Sequence, residues 1–302
     1  MLVEARGSEG HGVVWGAVTL ALASAVAAGW STALMHHGAS GARRGAGAVE
    51  LARHVVSQWR WLLGVVASLA GLGLHAAALH AGTLTLVQPL AVTALLFALV
   101  FRDLLDRRLP SRTTVLWGAV TAGGLGLFLG AAEVGGGADQ PDPQAAAVLV
   151  VLGAAGAALA LRASGQHPAY AGLWLGTAGG IVFGLMAGAI KSATSVASLG
   201  ELVTTWPLYL MVTVGLTGFV LNQHVYHRTR LAESLPMLNL VNPLVALTFG
   251  AVVFAERPTG SLLATGVQAL GLGAVLAGIF VLGRTTAPEL ERPAAPQAST
   301  SS

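Results

Sequence analysis

Leu86-Val87-Gln88-Pro89-Leu90 recurs later in the chain as Leu240-Val241-Asn242-Pro243-Leu244. In each copy a side-chain amide immediately precedes a proline inside an apolar run. Upstream, after a gap, the correspondence resumes at a second constant offset: Gly71, Leu74, His75 and His80 align with Gly218, Leu221, Asn222 and His227. Self-similarity of this kind marks duplication. Both copies lie in hydrophobic stretches of membrane length, and duplicated halves inside a bilayer point to a transporter.

The surrounding composition agrees. The chain has 302 residues, 54% of them hydrophobic and only 10% charged, with a mean hydropathy of +0.71. Soluble domains carry roughly 25% charged residues. Crossing a bilayer takes about 20 apolar residues, and nine stretches meet that requirement: 13–35, 60–82, 83–102, 113–132, 145–162, 169–190, 206–227, 232–254 and 261–283. The expected fold is therefore all-α and polytopic. The stretch 145–162, short and alanine-rich, is the weakest. The first stretch is too long for a signal peptide and has only Arg6 as a basic flank, so it reads as a span. With no cysteine, disulfide and thiol chemistry are excluded.

Charge placement gives a topology. All but three of the 16 basic residues fall on alternate connections: Arg43 to Arg60, Arg102 to Arg112, Arg162, Arg228 with Arg230, and Arg284 with Arg292. The exceptions are Arg6, Lys191 and Arg257. The positive-inside rule puts the rich set in the cytoplasm, the N-terminus outside and the C-terminus inside. These arginines are scattered over short loops and form no patch for nucleic acid. The expected location is a bacterial inner membrane, with lipid as the surrounding partner.

On this topology the Gln-Pro helix ends inside and the Asn-Pro helix ends outside. Equivalent helices run in opposite directions, which makes an inverted repeat of 4+1+4 helices able to support alternating access. The matches are 13–35 with 169–190, 60–82 with 206–227, 83–102 with 232–254, and 113–132 with 261–283. Residues 1–132 form the first repeat, 133–168 a linker plus the odd helix, 169–283 the second repeat, and 284–302 a disordered tail rich in Pro, Ala, Ser and Thr.

Each motif proline lacks the N–H that would bond four residues back, and so frees the carbonyl of Thr85 or of Asn239. A freed carbonyl in hydrocarbon must be buried in protein or line a wet cavity. Gln88 and Asn242 stand beside these breaks and can both donate and accept. They are the first candidate substrate ligands, although amides also serve as plain bonds between membrane helices. His75 and Asn222 come next, each one turn beyond a glycine that permits close approach of another helix. His80 and His227 read as interfacial.

Lys191 is the only lysine among the 16 basic residues. It ends a helix on the outer side, where snorkelling to the interface is expected and pairing with a substrate anion is the alternative. His224 and His227 share a helix face, but no third metal ligand follows, so no metal site is expected. Gly172, Gly176, Gly180, Gly184 and Gly188 form a side-chain-free ridge for helix contact. All 13 carboxylates fall at helix ends, in loops or in tails. A proton-coupled mechanism would then rest on a histidine such as His75. No nucleotide-binding loop or nucleophile elbow is present, and an enzyme is not expected.

The run Ala232-Glu233-Ser234-Leu235-Pro236, through Leu240-Val241-Asn242-Pro243-Leu244, to Phe254-Ala255-Glu256-Arg257-Pro258 and a Gly-rich final helix resembles the drug/metabolite transporter superfamily and its EamA-type repeats. Trp59 to Leu90, and Gly184 through Lys191, look most like the NIPA-type magnesium transporter branch. The chain departs from that branch at Gly71-Leu72 and His75, where a Gly-Glu and then an Asn are expected. The resemblance implies a carrier of a small-molecule or ion substrate, with no cofactor, as a monomer or a homodimer. Three readings follow: a carrier of a small polar or amphipathic solute using Gln88, Asn242, His75, Asn222, Thr85, Asn239 and Lys191; a divalent-cation permease; and a non-transporting scaffold.

Overall fold

The computed structural model describes residues 2–39, 57–131, 137–196, 198–228, 231–257 and 261–290. Within them the chain is all-helical. The elements are α1 (Leu2–Ala39), α2 (Trp59–Ala81), α3 (Leu84–Val92), α4 (Ala94–Leu105), α5 (Arg112–Ala131), α6 (Pro143–Gln166), α7 (Ala171–Thr194), α8 (Leu199–Thr204), α9 (Trp206–Arg228), α10 (Leu231–Val253) and α11 (Leu262–Leu290). Among the described residues, eight segments are long and apolar enough to cross a membrane, against the nine expected, with α3 and α4 counting as one of them and Trp206–Gly218 a shorter apolar part of α9.

The weak stretch at 145–162 is a full helix, α6. Asp142 starts it by accepting the amide hydrogens of Gln144 (2.8 Å) and Ala145 (3.3 Å), with Pro143 at the first turn where its missing N–H costs nothing. The short α8 between α7 and α9 was not expected. The last helix runs past the expected boundary at 283 to Leu290, so the first residues of the expected tail are helical. Residues 291–302 lie outside the described part.

Within the described residues, α7 is the most enclosed span and α6 the least. The reason is the glycine ridge. A Cβ at Gly180 would lie 2.7 Å from the Val241 Cβ and 3.0 Å from the Leu238 carbonyl oxygen; one at Gly184 would lie 2.6 Å from the Val245 Cβ. Gly176 and Gly188 meet the Ser234 carbonyl and the Phe249 ring in the same way. Four turns of α7 therefore lie against α10 backbone to backbone, at the approach that small residues permit. In α2 the same device works with hydroxyls: Ser24 donates to the Gly71 carbonyl (2.9 Å) and Ser31 to the Gly64 carbonyl (2.7 Å), tying α1 to α2.

The stretch expected as one helix over 83–102 is two, α3 and α4, broken at Thr93. The Thr93 hydroxyl donates to the Leu90 carbonyl (2.6 Å), as does the Thr93 amide (3.1 Å), so a tight turn replaces the regular ladder. Pro89 has already removed one donor just upstream. By contrast α10 continues through Pro236 and Pro243 to Val253. The two proline helices are not equally broken.

Candidate functional site

Four chain segments meet at one end of the molecule: the turn from α2 into α3, the residues entering α6, the C-terminal end of α7, and the turn after α10. That last turn is made possible by Ala255, which adopts a left-handed backbone with φ of 52°. It carries Glu256 back over the end of its own helix, where the Glu256 amide donates to the Gly250 carbonyl (3.1 Å). A Cβ at Gly250 would sit 2.5 Å from the Glu256 carboxylate, so glycine is what leaves room for it. The entering strand of chain is held by Ala138 and Asp142, whose amides donate to the carbonyls of Phe254 (2.6 Å) and Val253 (3.0 Å).

Glu256 is almost fully enclosed, and its side chain caps α3. Leu84 N–H donates to Oε1 (2.8 Å), while Thr85 donates to Oε2 through both its N–H (2.8 Å) and its hydroxyl (2.7 Å). A carboxylate suits this position because the first amides of a helix have no internal partners and carry partial positive charge. Thr83 satisfies another of them, accepting the Leu86 N–H at 3.2 Å.

Lys191 completes the cluster. Its ammonium donates to the carbonyls of Gly82 (2.6 Å) and Leu79 (3.3 Å), lies 3.6 Å from Glu256 Oε1, and sits 5.0 Å above the Phe254 ring. The expected snorkelling is therefore corrected: the lysine points into protein. It does so because the α2–α3 turn presents free carbonyls and the enclosed carboxylate supplies the opposite charge, which together replace the hydration an ammonium would seek at the interface. The expectation for the carboxylates is refined in the same way. Glu256 does follow a helix end, but this end is inside the protein.

The amides lie deeper. Gln88 is one turn past Leu84 on α3, and Asn242 is two turns before Gly250 on α10. At 1.5 Å per residue, Gln88 and Asn242 are about 6 Å and about 12 Å along their helices from the Glu256 joint. The two helices pack together, and from the joint both recede in the same direction. Gln88 is 2% exposed, and its Nε2 has no hydrogen-bond partner; Asn242 Oδ1 is likewise enclosed and unpartnered. A donor and an acceptor left unsatisfied in protein interior are uncommon, each costing about 1–3 kcal/mol.

The other candidates divide. Thr85 is at the Glu256 joint, through its N–H and its hydroxyl. Asn239 is half-buried, one turn before Pro243. His75 is half-buried on α2, one turn beyond Gly71, which packs near Ala27 and Ala28 of α1. His80 is exposed, and its Nδ1 is 2.7 Å from the Thr194 carbonyl oxygen, a further tie between α2 and α7. Asn222, His224 and His227 are on α9, but their side chains lie outside the described residues. Among the described residues, no group of three or more His, Asp or Glu could hold a metal ion.

Glu256 is the residue that the sequence reading missed. A signal for it is present in the sequence: the arginine distribution places both Lys191 and Glu256, beside Arg257, on the sparsely charged side, where a lone cation and a nearby anion can pair.

No family model matches the chain, and no solved structure matches it significantly. Among curated proteins it is similar to an uncharacterized protein of Corynebacterium glutamicum, with 26% identity over 250 residues covering 80% of this chain and 85% of the relative. The similarity spans most of both chains. It assigns no activity.

Proposed function

We propose that the protein is a carrier of the drug/metabolite transporter type, with nine spans in an inverted 4+1+4 repeat, moving a small polar or amphipathic solute across a bacterial inner membrane by alternating access. The observation that carries the proposal is the pair of enclosed, unpartnered amide atoms on two packed proline helices, Gln88 Nε2 and Asn242 Oδ1. A solute offering one acceptor and one donor would satisfy both. Membrane interiors tolerate such orphans poorly, so a site that exchanges partners is a physical reason for their presence.

The topology has independent support. Every segment at the Glu256 joint, near Ala81–Leu84, Ala138–Asp142, Lys191–Ser195 and Val253–Glu256, is one that the arginine distribution assigns to the outer side. The C-terminus of α10 meets the N-terminus of α3 there, as antiparallel equivalents would. Corresponding packings also occur in the two halves: Gly71 of α2 faces α1, and Gly218 of α9 faces Val182 and Phe183 of α7. The equivalent helices α5 and α11 pack on each other, as elements on a two-fold axis do. The divalent-cation reading gains nothing from Glu256, because a cation would have to displace Lys191 and two amide hydrogens to reach it.

Because the chain has no cysteine, single cysteines at 75, 88, 222 and 242 can be tested with a membrane-impermeant thiol reagent from either side. Labelling at 88 and 242 is the expected result. Failure to label any of the four, in any condition, would reject the cavity. Cysteines at 107 and 257 must emerge on opposite faces, or the inverted repeat fails with the carrier reading.

A further inference from the structure

The joint at Glu256 is more than a helix cap, because of which parts of the chain it connects. Lys191 ends α7 and Glu256 follows α10, both in the second half, while Leu79, Gly82, Leu84 and Thr85 belong to the α2–α3 turn in the first. Six polar contacts cross from one half to the other there. Three are accepted by the carboxylate, two are donated by the ammonium to carbonyls, and one runs from His80 to the Thr194 carbonyl. The Lys191–Glu256 contact, at 3.6 Å, is the loosest of the set and lies within the second half.

Elsewhere among the described residues, close approach between the halves is made at glycines, as where Gly124 meets Gly271 and Gly278 meets Thr121. Such surfaces can slide without leaving a charge unpaired. The joint cannot, since separating its two sides would strand an enclosed carboxylate and two helix amides together. It also stands one to two helical turns outward of Gln88 and Asn242, across the route by which those amides would be reached from the outer side.

We propose that Glu256, held by Lys191 and seated on the N-terminus of α3, is an outer latch: it keeps the outer ends of the two halves closed and must leave α3 for the outer side to open. This rests on the carrier reading for its purpose but not for its geometry. The latch is single-ended and charge-dependent, so weakening it shifts the balance of conformations toward the outward-open state. The two variants that test it are Glu256→Gln, which presents an amide NH₂ to donors that need an acceptor, and Lys191→Met, which keeps the stem and removes the ammonium.

The experiment measures two quantities in the full-length protein in liposomes. Spin labels at two exposed positions, 80 and 255, report the distance between the α2 end and the α10 turn. Separately, a single cysteine at 242 reports labelling from the outer side by an impermeant maleimide. The 80/255 pair is compared with a pair at 77 and 255, which still spans the two halves, at an exposed position of α2, and leaves His80 and its tie to Thr194 intact. In either variant the distance distribution gains a longer component, and outer labelling rises at least tenfold. An unchanged distance distribution in both variants, with the protein still monodisperse, overturns the latch and leaves Glu256 as a structural cap. If the distance lengthens but residue 242 is never labelled in any background, the latch stands and the solute cavity fails. Should Glu256→Gln not fold, Lys191→Met decides alone, since Glu256 keeps its three donors from Leu84 and Thr85.

Discussion

Replacing Gln88 by methionine separates a binding amide from a structural one by the sign of its effect on stability. The two side chains are similar in length and shape, so the packing penalty stays below about 1.5 kcal/mol. If Nε2 is an orphan, as in the structure, methionine relieves a desolvation cost of about 1–3 kcal/mol. If instead Nε2 bonds another helix in the membrane, methionine forfeits about 0.6 kcal/mol on average, and about 1.7 kcal/mol at most. The orphan cost exceeds the packing penalty in most of this range, giving a net gain of roughly 1 kcal/mol. Asn242→Leu is expected to act in the same direction, and the two gains should nearly add if the side chains do not touch. The assay is thermal or denaturant unfolding in detergent, followed by tryptophan fluorescence, beside solute flux once a substrate is known. Higher stability with lost flux is the signature of a site that holds strain for function. A loss of 1 kcal/mol or more in both single variants would refute the argument, and the amides would then be helix-to-helix bonds.

The remaining expectations are simpler. Gly184→Ala forces the Val245 Cβ from 2.6 Å to an ordinary 3.4 Å and meets the Asn242 carbonyl at 2.7 Å. Overpacking of this kind costs about 1–3 kcal/mol. Gly123→Ala has open space around its Cβ and should stabilise by up to about 1 kcal/mol through helix propensity; equal losses in unfolding midpoint for the two would refute the ridge. Ala255→Gly relieves a left-handed backbone worth about 1–2 kcal/mol, less the added freedom of glycine in the unfolded chain, for a net gain of about 0.5–1 kcal/mol in the same assay. A decrease would show that the turn is not strained.

The helices themselves were legible in the chain because hydropathy is a local property, and a stretch of about 20 apolar residues has few other uses. Even α6, the weakest stretch, emerged at full length. The break at Thr93 was harder to see. It depends on a hydroxyl competing for the Leu90 carbonyl, and threonine in a membrane helix does this only in some contexts. His75 looks equivalent to the amides because it also belongs to the repeat, yet periodicity alone could not say that the neighbouring Gly71 packs on α1.

What the chain alone determined is where apolar runs begin and end, that two of them carry the same amide-proline pair, and that a glycine stands at every fourth position of α7. These follow from covalent chemistry and from spacing along one helix. The tertiary structure decided which helix that glycine ridge meets, that Gln88 Nε2 and Asn242 Oδ1 lack partners, and that Lys191 turns inward to an enclosed Glu256 on the first amides of α3. Those outcomes join residues far apart in sequence. Their energies arise only when folding removes water from both members of a pair, and no local pattern records that event.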